Sequence, residues 1–146
     1  MIVEFQEYLT LNNIFLYCNF GVLPFWLLMI FMPSSKMTKI LVNSIILPLI
    51  LAIAYIYVIY KAILLEESFF QTFQLYINLD SLYTLFATES FLLIFWLHFL
   101  AMNLFLASWV MKDSIKYNVA RIVLIISFIL IYLVGPVGLV FYWIFR

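Results

Sequence analysis

Charged residues are scarce in this sequence, and their scarcity excludes whole classes of protein. Of the 146 residues, 10% are charged and 68% are hydrophobic, and the formal net charge at pH 7 is zero. A soluble domain of this size cannot bury so much apolar surface, whereas a lipid bilayer accepts it. A nucleic-acid-binding role lacks the basic patch that it needs. The composition therefore predicts an integral membrane protein whose first partner is the lipid bilayer.

Cysteine pairs, a basic N-terminal segment and clustered metal ligands are also lacking. The single cysteine, Cys18, excludes an intramolecular disulfide and leaves the redox compartment open. The opening segment MIVEFQEYLT has two glutamates and no basic residue, unlike a secretory signal or a mitochondrial transit peptide. We therefore expect the first apolar run to remain in the mature protein. There is no metal-binding cluster, nucleophile elbow or phosphate-binding loop, and no metal or cofactor is predicted.

Four apolar runs reach the roughly 20 residues that a membrane-spanning helix needs. They cover residues 12–32, 40–60, 90–111 and 119–145. Helices are predicted because the runs lack the two-residue alternation of barrel strands. The more polar stretch from Glu66 to Ala87 is predicted to form an interfacial helix or a partly ordered connector between spans two and three. The fold prediction is a single all-α domain over residues 1–146, a bundle of about four transmembrane helices.

Prolines and glycines predict where the helices bend. Pro24 and Pro48 lie inside the first two apolar runs, and Pro136 lies inside the fourth. A proline inside a helix removes one backbone hydrogen bond and kinks the helix. Because Gly135 and Gly138 flank Pro136, we expect the sharpest break there.

Basic residues predict the orientation of the bundle. The loops after the first and third runs are basic, with Lys36 and Lys39 in one and Lys112, Lys116 and Arg121 in the other. The opposite side has only Lys61 and Arg146. By the positive-inside rule, the two basic loops are predicted to be cytoplasmic, or in the organellar equivalent, with both chain termini on the far side.

The third apolar run contains the ionisable residues that are candidates for chemistry. Charged groups inside a membrane are energetically unfavourable and are found mainly where they serve a function. The candidates are Glu89 and His98, and Asn103 adds an amide. Glu89, Trp96 and Asn103 recur every seven residues and so share one helix face. His98 lies about 180° around the helix from Glu89, which excludes a direct pair between them. Any joint site must therefore be completed by other helices.

Each of these residues also has a purely structural interpretation. A carboxylate at Glu89 suits the N-terminus of a helix, and His98 and Asn103 are suited to hydrogen bonds between helices. His98 is expected to face protein, because an imidazole in hydrocarbon would have no polar partner. Glu89 and His98 are further expected to line one cavity that is entered from the membrane.

The combined pattern resembles the ABA4-like family of membrane proteins, whose plant members act in neoxanthin synthesis. The resemblance rests on Glu89-x6-Trp96-x-His98-x4-Asn103-x9-Asp113 followed by Gly135-Pro136-Val137-Gly138. The segment from Leu23 to Ile30, with Trp26 in it, and then Pro33 and Thr38 resemble the family's first helix and loop. The resemblance runs from about Asn12 to the C-terminus.

The resemblance implies a reaction and a role for each candidate residue. The reaction is the isomerisation of an epoxy-carotenoid to an allenic carotenoid, which involves no net redox change and implies no cofactor. Glu89 and His98 are then the proton-handling catalytic residues. Trp26, Trp96 and Asn103 become substrate contacts, and the partner becomes a carotenoid or another isoprenoid lipid. The expected location is a bacterial inner membrane.

Two other functions stay open at this point. The chain fits a non-catalytic small membrane protein that binds lipid or pigment, or a subunit of a membrane complex. A small channel or transporter is disfavoured because such proteins place more charged groups in the membrane. No oligomeric state follows from the sequence.

Overall fold

The computed structural model describes residues 8–41, 46–65 and 78–146. Within these ranges 88% of the residues are helical and there are no strands, which confirms the all-α prediction. The described helices are α1 (Leu11–Phe31), α2 (Lys36–Leu41), α3 (Ile46–Leu65), α4 (Leu79–Phe86), α5 (Glu89–Tyr117), α6 (Arg121–Val134) and α7 (Pro136–Phe145).

Two helices in the described ranges, α1 and α5, are long and apolar enough to cross a membrane. Helix α1 begins after Thr10, whose Oγ1 accepts a hydrogen bond from the Asn13 N–H at 3.2 Å. It continues as one helix past Pro24. Helix α5 ends at Tyr117, and the following residue, Asn118, adopts the left-handed conformation (φ 51°) that stops helices. The first and third predicted spans are therefore present as helices of spanning length.

Two long-range hydrogen bonds define the directions of the long helices. The Lys61 Nζ donates to the Leu9 carbonyl at 2.7 Å, so the end of α3 lies beside the start of α1. The Arg121 Nη2 donates to the Phe31 carbonyl at 2.9 Å, so the chain just after α5 lies beside the end of α1. Helices α1 and α5 therefore run parallel, and α3 runs antiparallel to them. We call the end at Phe31 and Arg121 the basic end and the other end the opposite end.

The short helix α4 lies within the stretch predicted to form an interfacial helix or a partly ordered connector, and it confirms that residues 79–86 are helical. Asn78 Oδ1 caps it by accepting hydrogen bonds from the backbone N–H groups of Asp80 (2.8 Å) and Ser81 (3.2 Å). Phe86 packs edge-on against the Phe91 and Phe95 rings of α5, at centroid distances of 5.3 and 4.9 Å. The rest of that prediction, residues 66–77, lies outside the described residues.

The predicted fourth span does not cross the bundle but forms a helical hairpin of α6 and α7, which we call the C-terminal hairpin. Helix α6 starts at the basic end, and Gly135 at its far end lies against Asn103, where an added Cβ would be 2.6 Å from Asn103 Oδ1. Asn103 is about 21 Å from the end of α5 at Tyr117, so the hairpin turns part-way along α5. Helix α7 then returns to the basic end, where the Tyr142 hydroxyl donates to Asp113 Oδ2 at 2.8 Å.

Glycine and proline make this turn possible. Gly135 has φ +39° and ψ −86°, a backbone conformation that L side chains rarely adopt, and Pro136 begins α7 where its missing N–H is not needed. A Cβ on Gly138 would lie 2.4 Å from the Ile131 backbone nitrogen. In a continuous helix these two positions would be about 10 Å apart along the axis. The prediction of a sharp break at Pro136 is confirmed, and the break reverses the chain.

The hairpin corrects the predicted orientation of the C-terminus. Arg146 forms a salt bridge to Asp113 at 3.0 Å, and its guanidinium lies 4.0 Å from the centroid of the Tyr117 ring. Arg146 therefore lies at the basic end, and its predicted place on the far side is wrong. The prediction assumed that any apolar run of spanning length crosses the membrane, whereas Gly135 and Pro136 divide this run into helices of 14 and 10 residues.

Cysteine labelling tests this topology. In a Cys18→Ser background, single cysteines at Ser34 and at Ile144 are expected to react with a membrane-impermeant thiol reagent from the same side of the membrane. A cysteine at Asp80, on α4 at the opposite end, is expected to react only from the other side. Labelling of the Ile144 position together with the Asp80 position would show instead that the last run crosses.

Candidate functional site

A cavity of about 600 Å³ lies between α1 and α5 at the opposite end. Among the described residues, its polar lining is Asn12 on α1 and Glu89 on α5, and its apolar wall includes Phe15, Leu92 and Trp96. Glu89 is the first residue of α5 and is exposed, so its carboxylate stands where the positive end of the helix dipole stabilises it. The shared face predicted for Glu89 and Trp96 thus opens onto a real cavity, which we call the Glu89 cavity.

Trp96 closes the inner end of this cavity. Its indole Nε1 donates a hydrogen bond of 3.3 Å to Asn19 Oδ1 on α1. Its ring packs against Phe15 and Phe99, at centroid distances of 6.0 and 5.4 Å. The indole is therefore held in place by polar and aromatic contacts, and it presents a flat apolar surface to the cavity.

A second, smaller cavity of about 270 Å³ lies between α1 and α6 nearer the basic end. Trp26 of α1 and Tyr132 of α6 both line it, and their rings meet edge to face at a centroid distance of 5.2 Å. Trp26 is only 4% exposed, and its Nε1 has no hydrogen-bond partner among the described residues. An unpaired buried donor is unfavourable, so this N–H is a candidate contact for a ligand oxygen.

The two cavities lie along the same face of α1. Asn12 and Phe15 line the first, Trp26 and Ile30 line the second, and Asn19 lies between them. These residues are spaced at intervals of three and four or their sums, which places them on one stripe of a helix. From Asn12 to Ile30 the stripe is about 27 Å long. The hydrogen bond between Asn19 and Trp96 lies between the two groups of lining residues along this stripe.

Asn103 lies at the turn of the C-terminal hairpin and lines neither cavity. It is 6% exposed, its Oδ1 faces Gly135, and its Nδ2 has no partner among the described residues. Because Tyr132 precedes Gly135 by one turn of α6, the contacts of Trp26 and Asn103 fall on successive turns of that helix. Two buried N–H donors without partners therefore adjoin the inner end of α6.

His98 lies away from both cavities. It is exposed, and its ring contacts Tyr55 of α3 at a centroid distance of 6.4 Å. No hydrogen-bond partner for it is found in residues 8–41, 46–65 and 78–146. The prediction that His98 faces the protein interior is wrong, because the half-turn between it and Glu89 puts it on the outer side of α5. The Glu89 cavity is accordingly lined without it.

A cluster that the sequence analysis did not foresee closes the base of the C-terminal hairpin. Asp113 accepts a hydrogen bond from the Tyr142 hydroxyl and pairs with Arg146, and Arg146 also stacks over Trp143 at 4.1 Å. The signal available in the sequence was Asp113, an acid just after the third apolar run and one position after Lys112. Its partners lie about thirty residues further on, where no local pattern could identify them. A metal site is not indicated, since no three potential His, Cys, Asp or Glu ligands converge within the described ranges.

Asp113→Ala is expected to lower the free energy of unfolding by about 2 kcal/mol, because it leaves a buried tyrosine hydroxyl and a guanidinium without their acceptor. Thermal unfolding of the detergent-solubilised protein measures the effect. Asp80→Ala, at an exposed carboxylate of α4, is the matched control and is expected to shift the midpoint much less. Equal shifts for both variants would contradict the structural role of Asp113.

The family of the chain follows from comparison with known proteins. The family model described as ABA DEFICIENT 4-like matches residues 13–142, a range that contains Phe15, Glu89 and Trp96 of the Glu89 cavity and nearly all of the hairpin. This chain belongs to the ABA4-like family. The resemblance noted on the sequence is thereby confirmed.

One curated relative of this ABA4-like chain is the chloroplastic protein ABA DEFICIENT 4 of Arabidopsis thaliana. The two are 27% identical over 110 residues, which is 74% of this chain and 50% of the relative. The matched region thus spans half the length of that plant protein. No solved structure matches the chain.

Proposed function

We propose that this ABA4-like protein is a membrane enzyme that isomerises an epoxidised isoprenoid, of the epoxy-carotenoid type, in the Glu89 cavity. The observation that carries the proposal is the composition of that cavity. One exposed carboxylate and one amide stand at its mouth, above an aromatic and aliphatic wall of the kind that ligand sites use for apolar molecules. The family membership and the plant relative make a carotenoid-like substrate the first choice.

The proposed reaction needs only a proton transfer. A base removes the vinyl proton next to the epoxide, the electron pair of that C–H bond forms the new double bond of the allene, and the epoxide C–O bond breaks. The proton then goes to the oxygen that is released, so atoms and electrons balance without an oxidant or reductant. One carboxylate can accept the proton and return it, and Glu89 is proposed for both steps. Asn12 is placed to hydrogen-bond the oxygen.

The remaining residues are proposed to hold an elongated substrate along α1. Trp96 supports the reacting end, and the stripe from Asn12 to Ile30, about 27 Å long, offers space for an extended chain. Trp26 Nε1 and Asn103 Nδ2 are the buried donors proposed to donate hydrogen bonds to a ligand oxygen beside the inner end of α6. Passage between the two cavities requires that the Asn19–Trp96 hydrogen bond opens.

A catalytic role for His98 stays a prediction that needs a substrate on the outer surface of α5.

A bacterial inner membrane is the proposed location, with the basic end in the cytoplasm. That orientation is supported by the positions of the lysines and arginines, all of which except Lys61 lie at the basic end.

A non-catalytic role in binding a pigment or lipid is the second candidate. It is favoured because, among the described residues, Glu89 is the one carboxylate that lines the Glu89 cavity, whereas many proton-transfer enzymes use a separate acid and base. Under this alternative the same cavity would hold a ligand without changing it.

Expression in cells that accumulate an epoxy-carotenoid separates the two candidates. The enzyme proposal expects an allenic product in the pigment extract that is absent from cells without the protein. The binding alternative expects unchanged pigment composition, with the epoxy-carotenoid retained on the purified protein. Unchanged composition together with pigment-free protein would reject both.

A further inference from the structure

A third cavity, of about 520 Å³, lies at the basic end and has a different chemistry from the two described above. It is formed where the end of α1, the end of α5 and the start of α6 meet. Its polar side chains are Ser34, Ser35, Ser114, Asn118 and Arg121. Ile115, Val119 and Leu124 form much of its apolar wall. We call it the Arg121 cavity.

Arg121 is held over this cavity by a hydrogen bond to the protein. Its Nη2 donates to the Phe31 carbonyl at 2.9 Å, which uses one of the five N–H groups of the guanidinium. Arginine with a fixed guanidinium plane is well suited to bind phosphate oxygens through two parallel hydrogen bonds. The exposed side chains of Ser34 and Asn118 add uncharged donors at the mouth.

The charge around the cavity favours an anion. None of the described residues that line it is acidic. Asp113, the acid on the nearby part of α5, is already paired with Arg146 at 3.0 Å. Lys36 and Lys39 follow α1 at the same end and add positive charge.

The position and the mixed lining of the cavity favour a lipid as the source of that anion. The cavity lies at the ends of α1 and α5, the two helices of spanning length, which is the level of the phospholipid headgroups. Its aliphatic wall can contact the glycerol and the first carbons of the acyl chains. Basic pockets between helices at the cytoplasmic face of a membrane are known to bind anionic headgroups.

We propose that the Arg121 cavity binds the phosphate of an anionic glycerophospholipid, with Arg121 as the principal contact. The bound lipid joins the end of α1 to the start of the C-terminal hairpin and thereby stabilises the docking of the hairpin. The Arg121 cavity lies at the basic end, whereas the Glu89 cavity lies at the other end of the bundle. This proposal therefore does not depend on the isomerase activity.

The test measures thermal unfolding of the protein in a neutral detergent with three additives, each at the same concentration. Dioleoyl phosphatidylglycerol is expected to raise the unfolding midpoint, and dioleoyl phosphatidylcholine and inorganic phosphate are expected to raise it much less. An equal rise with phosphatidylcholine would overturn the requirement for an anionic lipid. An equal rise with inorganic phosphate would identify a phosphate site rather than a lipid site.

Three variants locate the site. Arg121→Gln is expected to weaken phosphatidylglycerol binding by about tenfold or more, as expected for loss of a hydrogen-bonded charge pair. Lys39→Gln also removes one positive charge at the basic end, but outside the cavity. This variant should keep most of the stabilisation by phosphatidylglycerol. Ser34→Phe fills the mouth, retains Arg121, and should also abolish the stabilisation, so it decides the case if Arg121→Gln does not fold. Equal losses in Arg121→Gln and Lys39→Gln, or full stabilisation of Ser34→Phe, would overturn the proposal.

Discussion

Gly138→Ala is expected to destabilise the protein by about 3 kcal/mol or more, the upper range for overpacking a folded core. An added methyl group would lie 2.4 Å from the Ile131 nitrogen and 2.8 Å from the Leu130 carbonyl carbon. These are backbone atoms, which cannot rotate away as the end of a flexible side chain does. Helix α7 would have to separate from α6, and the Tyr142–Asp113 hydrogen bond at 2.8 Å would break with it.

Gly21→Ala is the matched control for that substitution. Gly21 lies in α1, and an added Cβ there would meet no atom of another described element within 4 Å. Alanine is a better helix former than glycine, so this change should stabilise the protein by about 0.5–1 kcal/mol. Membrane accumulation and the unfolding midpoint in detergent measure both variants. A Gly138→Ala protein as stable as the Gly21→Ala protein would contradict the close contact of α6 and α7.

Glu89→Gln is expected to lower carotenoid turnover by about a hundredfold or more, within the range for loss of a general acid–base group. Glutamine keeps the shape of the side chain and its place at the start of α5 but cannot accept and return a proton. The protein should accumulate normally, because Glu89 is exposed and has no hydrogen bond or ion pair within the described residues. Pigment extracts and membrane abundance are measured in the same cells.

Asp80→Asn is the control for that experiment. It neutralises another exposed carboxylate at the same end of the molecule as Glu89, but on α4 and outside the cavity. It should leave turnover unchanged. Normal turnover in Glu89→Gln would remove Glu89 from the mechanism. Equal losses in both variants would point to surface charge at that end rather than to proton transfer in the cavity.

The hairpin gives a physical meaning to several residues of the family pattern. The C-terminal hairpin brings together residues that are far apart in the sequence. Its turn contains Gly135 to Gly138, and Asn103 and Asp113 of α5 contact it. They allow α6 and α7 to turn, to pack closely and to close at the basic end. Glu89 and Trp96 form a separate group that lines the Glu89 cavity. The pattern therefore combines residues that build the fold with residues that are proposed to bind substrate.

The Asn19–Trp96 hydrogen bond is a candidate control point for the proposed long substrate. It is 3.3 Å long and joins α1 to α5 between the two cavities on the α1 face. Asn19 is not among the candidate residues identified from the sequence. Its spacing from Asn12 and Phe15 was the signal that could have placed it on the same face.

Local chemistry determined much of this protein from the sequence alone. The long apolar runs determined that α1, α3 and α5 are helices, and the seven-residue spacing placed Glu89 and Trp96 on one face. The glycines around Pro136 determined a break, because glycine readily adopts a positive φ and permits the close approach of two backbones, and proline interrupts a helix.

Only the tertiary structure decided where the chain goes after that break and which partners each polar residue finds. A turn at Gly135 is compatible with a kinked span or with a reversal, and the choice depends on contacts with Asn103 and Asp113, which lie some thirty residues earlier in the chain. The exposed position of His98 was likewise decided by which neighbours pack on the other faces of α5. Periodicity defines the faces of a helix, but the packing of distant helices determines which of those faces becomes a cavity, an interface or an outer surface.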